Sequence, residues 1–133
     1  MLTSMDAAQA LADLTEISSQ VVNVVIATAD GEVLATTIED GGRASRFTNL
    51  LLELVNESDA ARRERGLETM SQLEAATLEG SIFVVRRGNV LVGATTRPDP
   101  TVGLVFYDLK HCLRAVAEPD DAPASPRRRK AAD

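Results

Sequence analysis

The sequence predicts an α+β domain with elements in the order α-β-β-α-β-β-β-α, a five-stranded antiparallel sheet with helices packed on it. Three observations carry this expectation: apolar residues spaced three and four apart at the start, middle and end of the chain; β-branched runs between them; and three turn signals, Asp30-Gly31, Glu79-Gly80 and Gly88-Asn89, that join strands as hairpins.

Residues 4–19 place Ala7, Leu11, Leu14 and Ile17 on one stripe of a short helix, with Thr3 or Ser4 as N-cap and Asp6 at the positive end of the helix dipole. Val21 to Thr28 is a β-branched run apolar on both faces, so it belongs inside a sheet. Asp30-Gly31 suits a type I′ turn, and residues 32–37 return as the second strand. A two-residue loop pairs Thr28 with Val33, Ile26 with Ala35 and Val24 with Thr37, all six on one face. After Gly41-Gly42 a long helix runs to Arg65, with Phe47, Leu50, Leu51, Leu54 and Val55 as its apolar stripe, a charged second half and Gly66 as C-cap.

Residues 67–96 divide into three strands. The first, 67–78, alternates weakly and carries Glu68, Gln72 and Glu74 on one face, which makes it the edge strand; Ile82 to Val85 and Val90 to Val92 are dense and apolar. Asp99 as N-cap with Pro100 at the first helical position opens the last helix, where Val102, Val105, Phe106, Leu109, Leu113 and Val116 repeat and Gly103 allows close approach to the sheet.

The composition of the 133 residues, 44% hydrophobic and 26% charged, is that of one soluble domain. No apolar window reaches the roughly 18 residues of a membrane-spanning helix and the N-terminus lacks a secretory signal, so the expected location is cytoplasmic. Cys112 and His111 are the only residues of their kinds, which excludes an internal disulfide and a Cys/His metal site within one chain. Neither a metal nor a cofactor is expected. Residues 1–118 hold 17 acidic and 10 basic side chains, a net −7, so this body repels nucleic acid and anionic lipid. Residues 119–133 are rich in Pro and Asp and then basic at Arg127, Arg128, Arg129 and Lys130; they lack core-forming side chains and are expected to be a disordered, solvated tail.

Little in the chain supports catalysis. Gly88 and Gly93 have the spacing of a phosphate-binding loop, but Ala94 stands where its lysine belongs and the segment reads as turn and strand. His111 and Cys112 are helix neighbours pointing about 100° apart, poor geometry for a base and nucleophile; Cys112 reads as a core residue and His111 as solvent-facing. No catalytic residues are assigned. Two features point to protein binding instead. Arg43 and Arg46 sit near a helix N-terminus, where the dipole disfavours them, so they are either a docking surface or a tolerated cost. The edge strand 67–78 has no proline, so either the charge on Glu68 and Glu74 protects it or a second copy pairs with it; an apolar stripe on the helix beside it favours pairing, which buries both about a two-fold axis.

The element order, the Val24-Val25-Ile26-Ala27-Thr28-Ala29-Asp30-Gly31 hairpin, the long middle helix, the meander and the Thr101-Val102-Gly103-Leu104-Val105 step resemble the roadblock family of dynein light-chain-like domains, which includes the bacterial MglB proteins. The resemblance covers about residues 5–118. It implies a homodimer that joins edge strands and pairs middle helices, and a non-enzymatic regulator or adaptor, including GTPase-activating roles, whose partner is a small Ras-like GTPase. On that reading the partner contacts fall on Arg43, Arg46, Phe47, Leu50, Glu53, Leu54 and Glu57, and the dimer contacts on Leu51, Glu68, Met70, Gln72 and Glu74. The alternatives are a structural scaffold dimer and a small-molecule sensor domain, the latter with few aromatic residues and no convergent polar cluster in the sequence.

Overall fold

The computed structural model describes residues 2–121, with side chains described over 7–116. The elements are α1 (Leu2–Ile17), β1 (Val21–Thr28), β2 (Val33–Thr36), α2 (Gly41–Glu64), β3 (Gln72–Ala76), β4 (Ser81–Arg87), β5 (Val90–Thr96) and α3 (Val102–Asp121). All neighbouring strands are antiparallel and the sheet order is β2-β1-β5-β4-β3, which leaves β2 and β3 as its edges. The predicted order and sheet are those of the structure.

The sheet separates two cores. On one side α1 and α3 bury Leu14, Val105, Leu109, Leu113 and Val116 against Val24, Ile26, Phe83 and Val92, with Phe83 and Phe106 meeting edge to face at 5.0 Å. On the other side α2 alone buries Ala44, Leu51 and Val55 against Val25, Ala27, Val84 and Leu91. Strand alternation explains the division, since successive residues of the central strands serve opposite cores.

Several local expectations change. The β1–β2 loop has three residues, because Thr28 N–H donates to the Glu32 carbonyl and Gly31 N–H to the Thr28 carbonyl, each at 2.9 Å. Gly31 adopts φ +99° and Asp30 does not have positive φ, so the turn is not type I′. Val33 therefore pairs with Ala27, and a bulge restores the expected Ile26–Ala35 partnership. The last helix begins at Val102: Val105 N–H donates to the Thr101 carbonyl, while Asp99 sits at φ +60° and is not its N-cap. The first helix begins at Leu2, ahead of Thr3 and Ser4, so neither caps it.

Gly103 is exposed, and a Cβ there would meet nothing within 4 Å. The close approach is at Gly93, where an added Cβ would lie 2.3 Å from Leu51 Cδ1, so α2 rests on a strand position that tolerates no side chain. At the other end of the chain α3 passes the expected boundary at 118 and is described to Asp121; the remainder of the predicted tail, 122–133, lies outside the described residues.

Candidate functional site

The helix α2 is fastened at both ends. Asp40 is its N-cap, its carboxylate accepting from the amides of Gly42 and Arg43 at 2.8 and 3.2 Å. At the other end Leu67 N–H donates to the Arg62 carbonyl and Gly66 N–H to the Arg63 carbonyl, with Gly66 at φ +72°, a Schellman closure. Between these caps the sheet-facing stripe is Ala44, Thr48, Leu51, Val55 and Asp59.

Asp59 continues the apolar stripe as a carboxylate and is 8% exposed. Arg86 of β4 meets it with two donors, Nη1 to Oδ2 at 2.8 Å and Nη2 to Oδ1 at 3.0 Å, and Met70 N–H donates to Oδ1 at 2.9 Å. Arg86 Nη2 also donates to the Met70 carbonyl. The bonded guanidinium holds the Asp59 carboxyl below its ordinary value; burial opposes this and the Met70 amide assists it. Arg62 Nε adds a bond to the Glu68 carbonyl. These contacts tie the incoming segment to α2 and β4, so residues 67–71 form a connector and only Gln72–Ala76 form the edge strand. Sequence reasoning missed this pair, although both halves left a signal: Asp59 stands four residues after Val55, and Arg86 two after Val84.

Leu52 points toward the β1–β2 turn, its Cδ1 3.3 Å from where a Gly31 Cβ would sit. At 100° per residue the opposite flank of α2 carries Arg43, Arg46, Phe47, Leu50, Glu53, Leu54 and Glu57 in successive turns. Phe47 and Leu54 are half-buried, Leu50 is 39% exposed, and the four charged residues are exposed. The seven residues assigned to partner binding thus share one accessible flank.

The group assigned to the dimer interface divides. Glu68 and Glu74 are exposed and Gln72 is half-buried, Gln72 and Glu74 lying on the edge strand. Leu51 and Met70 are corrections: both are buried in the chain's own core, Leu51 under Gly93 and Met70 beside the Asp59–Arg86 pair, and neither is open to a partner.

On the opposite face Cys112 is buried, its Sγ 3.7 Å from the Ala10 carbonyl, and burial pushes the thiol up to about 12. It is not a nucleophile at neutral pH. His111 is exposed beside it. Gly88 and Gly93 lie in the β4–β5 turn and within β5, so the turn opens into a strand and not into the helix N-terminus that a phosphate-binding loop requires. Among the described residues no three His, Cys, Asp or Glu side chains converge to hold a metal ion, and no helix is long and apolar enough to cross a membrane.

A five-stranded antiparallel sheet in the order β2-β1-β5-β4-β3, with two helices on one face and one on the other, is the roadblock fold. The chain is similar to a roadblock/LC7 domain from Streptomyces avermitilis (TM-score 0.73, 14% identity, 82% of this chain and 92% of that one). It is also similar to MglB of Myxococcus xanthus (TM-score 0.71, 11% identity, 90% and 95%) and to an MglB described in a tetrameric arrangement (TM-score 0.75, 13% identity, 86% and 88%). No family model matches the sequence, and no curated protein matches it.

Proposed function

We propose that the protein is a non-enzymatic regulator or adaptor that forms a homodimer and binds a small Ras-like GTPase. The observations that carry the reading are the unpaired β3 edge of the sheet and, on the helix covering one face of that sheet, an α2 flank of Phe47, Leu50 and Leu54 rimmed by Arg43, Arg46, Glu53 and Glu57. A free edge exposes unpaired backbone donors and acceptors, and a second copy satisfies them while covering the neighbouring apolar flank. The likeness to an MglB in a tetrameric arrangement supports self-association.

GTPase docking across the paired α2 helices rests on the resemblance and on the mixed chemistry of that flank. Regulation requires unequal affinity for the two nucleotide states, because only differential binding shifts a two-state switch. Light scattering at micromolar concentration is expected to give the mass of a dimer; a monomer overturns the self-association. Titrating the dimer with a Ras-like GTPase of the same organism, loaded with GDP and then with a non-hydrolysable GTP analogue, is expected to give different affinities. Equal affinities remove regulation and leave a scaffold.

A further inference from the structure

Two cavities meet at the end of the sheet where β1 begins and β5 ends, the smaller of them reaching the N-terminal end of α2. The larger, about 430 Å³, is lined by Val22, Thr77, Ser81, Ile82, Thr95 and Arg97, among others. The smaller, about 180 Å³, lies among Asn23, Ile38, Arg43, Arg46 and Phe47 and shares Thr95 with the first. They meet at Thr95 as a cleft whose larger part alone has the size that small organic ligands occupy.

A β-bulge shapes it. Val21 packs toward the α1/α3 core and Val24 is buried in that core, yet two residues stand between them, and the register against β5 slips at this point. Val22 and Asn23 consequently both line the α2 side instead of alternating. Val22 is left 47% exposed, an apolar side chain turned into open space. Asn23 is held in place, its amide N and Nδ2 both donating to Thr95 Oγ at 3.2 and 3.4 Å.

The charge around the cleft is opposite to that of the body. Arg43, Arg46 and Arg97 line its two parts, and none is in an ion pair among the described residues. Glu79, in the β3–β4 turn, is the one carboxylate lining either cavity. Asp40 is already engaged with the Gly42 and Arg43 amides. In a body of net charge −7, three arginines beside apolar walls of Val22, Ile82 and Phe47 favour a ligand with an apolar end and an anionic end.

We infer that this cleft binds a small anionic amphiphile, an apolar body of about eight to twelve carbons carrying a carboxylate or a phosphate monoester. The apolar part lies on Val22 and Ile82, and the head group meets the arginines. The cleft overlaps the flank assigned to the GTPase at Arg43, Arg46 and Phe47, whereas Arg97, Val22 and Ile82 lie outside that assignment, so substitutions at Arg97 and Val22 test the ligand separately from the GTPase reading.

The test is calorimetric titration of the full chain, without any GTPase, with decanoate, decyl phosphate and decanol, each below its aggregation or solubility limit. Saturable binding of either anion is expected, with decanol weaker by about tenfold or more, the order of one lost charge-assisted hydrogen bond. The anion that binds identifies the head group. Arg97→Gln should weaken the anion by about tenfold and leave decanol unchanged. Val22→Asp, at a half-exposed position where folding tolerates a polar residue, should abolish binding while the melting curve stays that of the parent. Absence of saturable binding overturns the proposal, as does equal affinity for decanol or indifference to both substitutions. Should a second copy fill the cleft, the parent binds neither anion and Val22→Asp changes the oligomeric state instead, which also overturns it.

Discussion

The two faces of the sheet are built from the same strands and end in different states. On the α1/α3 side, two helices cover Val24, Ile26, Phe83, Val85 and Val92, and even the polar-capable Cys112 is sealed in. On the α2 side a single helix covers the centre, seats Leu51 on Gly93, and leaves Val22, Leu50 and the flank of β3 open. The first face closes mainly with apolar packing, although Asp108 of α3 is buried beside Ala10, Leu14 and Cys112. The second relies on a buried ion pair at one end of its helix and keeps apolar residues accessible, in a sheet whose β3 edge is unpaired. One face is covered by two helices, and the other leaves Val22 and Leu50 accessible around a single helix.

The sharpest way to break this contrast is to open the sealed face. Leu109→Ala removes a fully buried side chain from the α1/α3 core and is expected to destabilise by about 3 kcal/mol, read from the denaturant midpoint. A loss below about 1 kcal/mol would mean that this face relaxes freely and is no better packed than the other.

Next in size is the ion pair. Asp59→Ala strands the Arg86 guanidinium and the Met70 amide, and the expected cost is about 2 kcal/mol, less than for a fully buried pair because Arg86 keeps some solvent access. The same pair sets an acid dependence. The folded-state pKa of Asp59 lies below its unfolded value, so its contribution is complete above the ordinary carboxylate range, near 4, and disappears as pH falls through the folded-state value. Melting between pH 5 and pH 2 should therefore show the parent and Asp59→Asn converging in acid. Parallel curves would mean that Asp59 is not held as the carboxylate.

The smallest stability effect is expected at the open flank. Leu50→Asp changes a residue already 39% exposed, so folding stability at the monomer level should move by about 0.5 kcal/mol or less. If a second copy covers this flank, the same substitution weakens the dimer strongly, because it buries an unpaired charge. Sedimentation at several concentrations separates the two readings: an unchanged dimer places self-association elsewhere, and a collapsed melting curve makes Leu50 part of the core.

Most of the fold was legible. Apolar spacing located all three helices, and the dense β-branched runs and turn dipeptides located the strands, because both signals are local and need only the period of the backbone. Glycine was legible only as a kind of residue. Gly103 and Gly93 look alike in the sequence, yet only Gly93 has a helix resting on it. The register of the first hairpin moved for a similar reason: Asp30-Gly31 fits either a two- or a three-residue loop, and the bulge that rejoins Ile26 to Ala35 depends on β1 being held by β5 as well. At the candidate site, the flank from Arg43 to Glu57 followed from helical spacing, while Leu51 and Met70 did not separate from it until the packing was known.

By itself, then, the sequence determined the α-β-β-α-β-β-β-α order, the antiparallel hairpins and which residues are apolar enough to form a core, since each depends on neighbours within about one turn or one strand. The tertiary structure decided which side each strand residue serves, that β1 lies between β2 and β5, that Asp59 and Arg86 meet across 27 positions, and that Arg97 shares a cleft wall with residues on β1 and β4. Those are contacts between segments distant in the chain. Their partners are chosen by packing, burial and charge compensation in three dimensions, and no local periodicity encodes that choice.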